Sequence, residues 1–123
     1  DWAMMLHAAA TGRLEDIAAP PIDPRPCVAV VLAAQGYPEL PLTGSIIRGV
    51  AEAQALEDVE VFHAGTRLDE DGLLRAAGGR VLTVTAMADS LAGAVKRAYE
   101  AVDLIDWPGG FCRRDIAWRA LRA

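Results

Sequence analysis

Apolar and polar positions along the chain fall into segments of two different periods. Residues 27–34, Cys-Val-Ala-Val-Val-Leu-Ala-Ala, are apolar without a break and rich in valine, which predicts a strand buried on both faces. Gln35-Gly36-Tyr37-Pro38 breaks that run. Residues 80–87 alternate instead. Arg80, Leu82, Val84 and Ala86 are placed on one face of a strand and Val81, Thr83 and Thr85 on the other. Between these two segments, 45–49 predicts a short strand, 51–56 no more than a helical turn, and 59–66 a strand ending at Gly65. Asp71-Gly72 is a hairpin signal between Arg67-Leu68 and Leu73-Leu74, and Gly78-Gly79 marks a second tight turn.

The period changes after Ser90, a good helix N-cap. Leu91, Val95, Ala98, Val102 and Ile105 recur at spacings of three and four, the apolar stripe of an amphipathic helix. Pro108-Gly109-Gly110 ends that unit. Residues 111–113 predict a short strand, and Asp115 a cap for a last helix carrying Trp118 and Leu121. At the other end, 2–10 is apolar with helical character and Gly12 predicts a left-handed cap. No N-cap and no initiator methionine precede it. We therefore expect a fragment whose first helix once packed on something outside this chain and does not pack as the later core does. Four prolines within 19–26 exclude helix and central strand there and predict a linker. The order of elements predicts an α+β domain with a mostly antiparallel sheet.

Composition narrows the function classes. The chain has 123 residues, of which 53% are hydrophobic, enough for one compact domain and too much for a disordered tail. No apolar run approaches the roughly 20 residues of a membrane span, and the start lacks the pattern of a secretory signal. Net charge is −5 with the basic residues scattered, so nucleic acid is not an expected partner, and any anion site needs local positive charge. Cys27 and Cys112 could form one disulfide in principle; the plainer expectation is a reduced core thiol at Cys27. The cysteines and the two histidines, His7 and His63, show no zinc spacing, and no metal site is expected. Asp69-Glu70-Asp71 reads as a solvated turn, Arg113 and Arg114 as partners of Asp115 and nearby acids, and Tyr99 and Trp118 as core. Tyr37 reads as a packing aromatic, with covering of a cleft as the second reading.

Several motifs go further. Ala33-Ala34-Gln35-Gly36-Tyr37-Pro38 closes the first strand, and Val61-Phe62-His63-Ala64-Gly65-Thr66 closes the third. Gly78-Gly79-Arg80-Val81-Leu82-Thr83-Val84-Thr85-Ala86 spans the second turn and its strand. Arg97-Ala98-Tyr99-Glu100 lies in the long helix, and Cys112-Arg113-Arg114-Asp115-Ile116 follows it. In this order and spacing the chain resembles the C-terminal domain of the phosphoribosylamine–glycine ligases, the glycinamide ribonucleotide synthetases of purine biosynthesis. One stretch departs from the family pattern. A polar, often basic segment is usual after Gly-Tyr-Pro, but here 39–45 reads Glu-Leu-Pro-Leu-Thr-Gly-Ser, and no substrate contact is carried over to it.

The resemblance implies a barrel-like, mostly antiparallel C-terminal domain with flanking helices. Residues 1–18 would be the tail of an ATP-grasp domain, 19–26 a linker and 27–123 the C-terminal domain. It implies a cytoplasmic, ADP-forming carbon–nitrogen ligase acting on phosphoribosylamine and glycine. Glycine's carboxylate is first phosphorylated by ATP, and the amine then displaces phosphate. ATP and magnesium would be bound mainly by the upstream ATP-grasp domain. This chain has one lysine, Lys96, within the helical pattern, and no phosphate-binding glycine-rich loop. We therefore expect no catalytic residue, no metal and no cofactor here, and no ligase activity from this chain alone.

The group implied for it is the substrate phosphate. Arg80 is the first candidate, following Gly78 and Gly79, which let the backbone approach an anion and expose amides. Arginine's planar fork suits phosphate, and in the related formate-dependent transformylase an arginine at the matching strand position reaches it. His63 and Thr66, either side of Gly65, are further candidates for polar contact. Each has a plain alternative: a strand-end arginine on the surface, and a satisfied histidine beside a turn. A stand-alone biotinyl or lipoyl carrier would need a lysine at a hairpin tip, which neither turn has. A regulatory or oligomerisation module is the remaining alternative.

Overall fold

The computed structural model describes residues 1–122. In chain order the elements are α1 (Trp2–Ala10), a 3-10 turn (Leu14–Asp16), β1 (Cys27–Ala34), α2 (Val50–Gln54), β2 (Val59–His63), β3 (Thr66–Leu68), β4 (Leu74–Ala76), β5 (Arg80–Met87), α3 (Leu91–Leu104) and β6 (Gly110–Phe111). One antiparallel sheet has the order β2-β5-β1-β6, and β3 and β4 form a separate two-stranded hairpin. The architecture is α+β, as expected. The four-stranded sheet stays open, so the barrel-like closure implied by the resemblance is not present.

One face of the sheet carries the core. Val28, Val30 and Leu32 of β1, Val59 and Val61 of β2, and Leu82, Val84 and Ala86 of β5 are buried beneath α3. The helix has four buried residues, of which three are alanines with no exposed surface, Ala94, Ala98 and Ala101, and Val102 is the fourth. Ser90 caps it as expected, its hydroxyl accepting from the Gly93 amide at 3.1 Å.

The opposite face has no covering layer among the described residues. Cys27, Ala29 and Val31 of β1 and Phe62 of β2 are exposed there. The prediction that β1 is buried on both faces is corrected, and with it the prediction of a core thiol at Cys27, which is exposed. An unbroken apolar run reports only that neither face is strongly polar; here one of those faces is left open. Both cysteines are free.

Three further expectations change. Residues 45–49 form no strand but two isolated bridges, Ile46 to Arg75 and Arg48 to Asp106, tying the β3–β4 hairpin to the end of α3. Among the described residues no last helix follows Asp115. The chain makes turns, Ala117 sits in the left-handed region at φ 65°, and Trp118 is 41% exposed between Arg119 and Arg122 rather than in the core. α1 does have an N-cap, because the Asp1 carboxylate accepts from the amides of Ala3 and Met4. Its packing is as expected: Trp2 is 72% and Leu6 68% exposed, and α1 adds nothing to the main core.

Two polar clusters hold the periphery. Arg25, in the proline-rich segment, bonds to Asp23 and also reaches Asp58, which Arg97 of α3 contacts at 3.0 Å. Hydrogen bonding from Arg25, aided by the charge of Arg97, holds the Asp58 carboxyl below its ordinary value. Tyr99 is half-buried against the core, and its hydroxyl donates to the Arg113 carbonyl at 2.8 Å and accepts from the Ile116 amide at 3.1 Å. Arg113 pairs with Asp115 and Arg114 with Asp103, as expected. No helix among the described residues is long and apolar enough to cross a membrane.

Candidate functional site

Arg80 begins β5, and strict alternation would place it on the core face with Leu82. The strand does not alternate there. Its register with β1 runs Val31↔Thr83 and Leu32↔Leu82, then jumps to Ala33↔Arg80, which leaves Val81 as an extra residue. This bulge tucks Val81 fully into the core and turns Arg80 to the open face. Bulges commonly re-aim a side chain beside a functional site. Here Arg80 lines an open depression of about 690 Å³ together with Val31, Tyr37, Pro38, Gly65 and Thr83.

The turn that delivers Arg80 is fixed by backbone contacts. The Ala34 amide donates to the Gly79 carbonyl at 2.8 Å, and the Gly65 amide to the Arg80 carbonyl at 3.0 Å. Gly65 and Gly78 lie back to back: a Cβ on Gly65 would stand 2.9 Å from the Gly78 Cα and 2.7 Å from the Arg80 carbonyl oxygen. The amides of Gly78 and Gly79 donate to no other described residue. The glycines thus serve close packing of two chain segments, and their amides have no partner among the described residues.

Charge bookkeeping singles out the same residue. Of the 12 Lys and Arg side chains, nine sit in ion pairs with carboxylates, and Arg119 and Arg122 lie over the Trp118 ring. Arg80 is the one left, among the described residues, with neither kind of partner. In a chain of net charge −5, a cation kept clear of carboxylates makes this depression the candidate anion site. A second hollow, about 580 Å³ at residues 67–71, does not qualify. It is acidic, and its arginine is already neutralised: Arg67 donates to Asp69 at 3.1 Å, and neighbouring Arg75 also bonds to Asp69.

The other predicted site residues sit nearby in different roles. His63 Nδ1 and Thr66 Oγ1 are 3.1 Å apart and satisfy each other at the end of β2 and the start of β3. Neither lines the depression, whereas Gly65 between them does. Gly79 and Arg80 line it directly, and Gly78 stands behind, against Gly65. Val31 and Thr83 were not singled out from the sequence. The alternation that set Thr83 and Thr85 apart from Leu82 and Val84 was the available signal for an open, half-polar sheet face.

Comparison with known proteins decides the family. Residues 27–119 match the family described as Phosphoribosylglycinamide synthetase, C domain. The chain belongs to that family. The phosphoribosylamine–glycine ligase of Brucella melitensis is 47% identical over 98% of this chain and 28% of its own length. The chloroplastic phosphoribosylamine–glycine ligase of Arabidopsis thaliana is 48% identical over 99% of this chain and 23% of its own. The crystal structure of the Thermotoga maritima phosphoribosylamine–glycine ligase superposes with a TM-score of 0.68 at 32% identity, covering 89% of this chain and 27% of that one. This member of the C-domain family therefore spans between a quarter and a third of the length of the Brucella and Thermotoga ligases, and slightly under a quarter of the Arabidopsis one.

Proposed function

We propose that this chain serves as the C-terminal domain of an ATP-dependent, ADP-forming ligase that joins phosphoribosylamine to glycine, and that its depression at Arg80 receives the substrate phosphate. The observation that carries the second half is the isolation of Arg80, turned by the bulge to an open face and left without a carboxylate. The guanidinium supplies a two-pronged donor, and the free amide of Gly79, which lines the same depression, is a further donor. The sheet holds them in place, so little ordering is needed when the anion arrives.

The nucleotide and its magnesium do not fit this chain's residues. Lys96 lies on the surface of α3, 3.6 Å from Glu100, and the described residues contain no group of three or more His, Cys, Asp or Glu side chains placed to hold a metal. We assign those roles to the ATP-grasp domain that the family resemblance implies, of which α1 would be the last helix and 19–26 the link. On this reading the isolated chain catalyses nothing, and Trp2, Met4 and Leu6 face that domain in the complete ligase.

Amide shift mapping on this chain tests the assignment. Titration with ribose 5-phosphate, which keeps the phosphate but lacks the reacting amine, should move the amides of Gly78, Gly79 and Arg80. Titration with magnesium and ATP at micromolar concentrations should show no saturating binding, by shifts or by calorimetry. Saturating shifts at 67–71 instead, or micromolar ATP affinity, would overturn the assignment.

A further inference from the structure

The chain's two tyrosines are held quite differently. Tyr99 has both capacities of its hydroxyl satisfied within the protein. Tyr37 lines the Arg80 depression, is 37% exposed, and its hydroxyl bonds to no other described residue. Its position is nevertheless fixed. The Tyr37 amide donates to Ala34 at 3.0 Å, Leu40 to Gly36 at 2.9 Å and Leu42 to Gln35 at 2.8 Å, so residues 34–42 are a braced turn. The ring lies on Gly79, where a Cβ would stand 2.5 Å from Tyr37 Cδ2 and 3.0 Å from Cε2. Gly79 thus does two things at once: it presents an open amide beside Arg80 and leaves room for an aromatic ring against that same turn.

A bare phosphate needs only the cation and the amides. The depression offers more: Tyr37, Pro38, Pro41 and Val31 line it, together with Thr83. A lining that mixes apolar side chains with polar groups suits a ligand that carries carbon next to its charge. We infer that Tyr37 is a specificity-determining residue for the sugar: its ring packs on the C–H face of a pentose whose phosphate is held by Arg80, so the site takes a phosphorylated pentose in preference to free phosphate. This rests on the assignment of Arg80 to the phosphate.

The test compares two probes, inorganic phosphate and ribose 5-phosphate, titrated into this chain and its variants. The wild-type chain should bind ribose 5-phosphate more tightly than inorganic phosphate. Tyr37→Ala should shrink that ratio about three- to tenfold, the worth of one aromatic contact, while inorganic phosphate binds as before. Tyr37→Phe should keep the ratio, since the ring face and not the hydroxyl makes the contact. Gly79→Ala, which pushes the ring aside without deleting it, should shrink the ratio too and covers the case in which Tyr37→Ala does not fold. An unchanged ratio in both Tyr37→Ala and Gly79→Ala overturns the tyrosine's role and leaves that of Arg80 standing. Loss of the ratio in Tyr37→Phe overturns the ring contact. Unchanged inorganic phosphate affinity in Arg80→Ala removes the arginine instead, and wild-type chain that binds neither probe removes both.

Discussion

Gly65 and Gly78 are the residues on which the geometry of the Arg80 turn depends most. The atoms that a methyl on Gly65 would strike are backbone: the Arg80 carbonyl oxygen, the Gly78 Cα and the Gly78 amide nitrogen at 3.1 Å. None can swing away as a side-chain end would. Gly65→Ala should therefore cost about 1–3 kcal/mol, the usual range for overpacking. Urea denaturation should show a lower midpoint with an unchanged slope. A midpoint equal to wild type would mean that the two loops can part freely. The sequence showed these glycines as turn markers, and the turns are there. It did not show that they touch, because their close approach needs the β3–β4 hairpin, with Thr66 opposite Ala76, and the pairing of β2 with β5 together. The face of Arg80 was likewise misplaced, since a bulge at Val81 leaves no mark in an alternating apolar pattern.

The elements that could be read in advance are those whose pattern is long. β1 and β5 lie at the predicted bounds, and α3 begins at the predicted cap. Short pieces failed where tertiary contacts decide: 45–49 bridges to two different partners, and the stretch after Asp115 is broken at Ala117. The Arg25–Asp58–Arg97 cluster, invisible in the sequence, ties the proline-rich segment to β2 and α3. Asp58 has its folded pKa lowered, first by the hydrogen bond from Arg25. Its contribution is therefore complete above the unfolded aspartate value of about 3.9 and is lost as pH falls through the still lower folded value. Acidification below about pH 4 should loosen residues 19–26. Asp58→Asn should do the same at neutral pH; asparagine tolerates the residue's left-handed backbone, φ 58°. Amide exchange of the segment reads both. Exchange that is independent of pH and unaltered by the substitution would show that the cluster holds nothing.

At the scale of the whole molecule, the domain is built on a four-stranded sheet with one covered face among the described residues. α3 supplies the cover, and the open face carries the Arg80 depression, with Tyr37 on its wall. The one-sidedness was not legible, because the run at 27–34 is apolar at inward and outward positions alike. The family was legible from its motifs, and the isolation of Arg80 was not, since it emerges only after every other cation has found its partner. The central claim is that this arginine holds the phosphate of phosphoribosylamine. The measurement is the set of three Michaelis constants for Arg80→Ala in the full-length ligase. A bidentate, charge-assisted contact is worth about 1.5–3 kcal/mol, so KM for phosphoribosylamine should rise about ten- to a hundredfold. KM for ATP and KM for glycine, neither of which carries that phosphate, should stay within about twofold of wild type, well under the tenfold that 1.4 kcal/mol produces. A rise in all three together, or in none, would contradict the account.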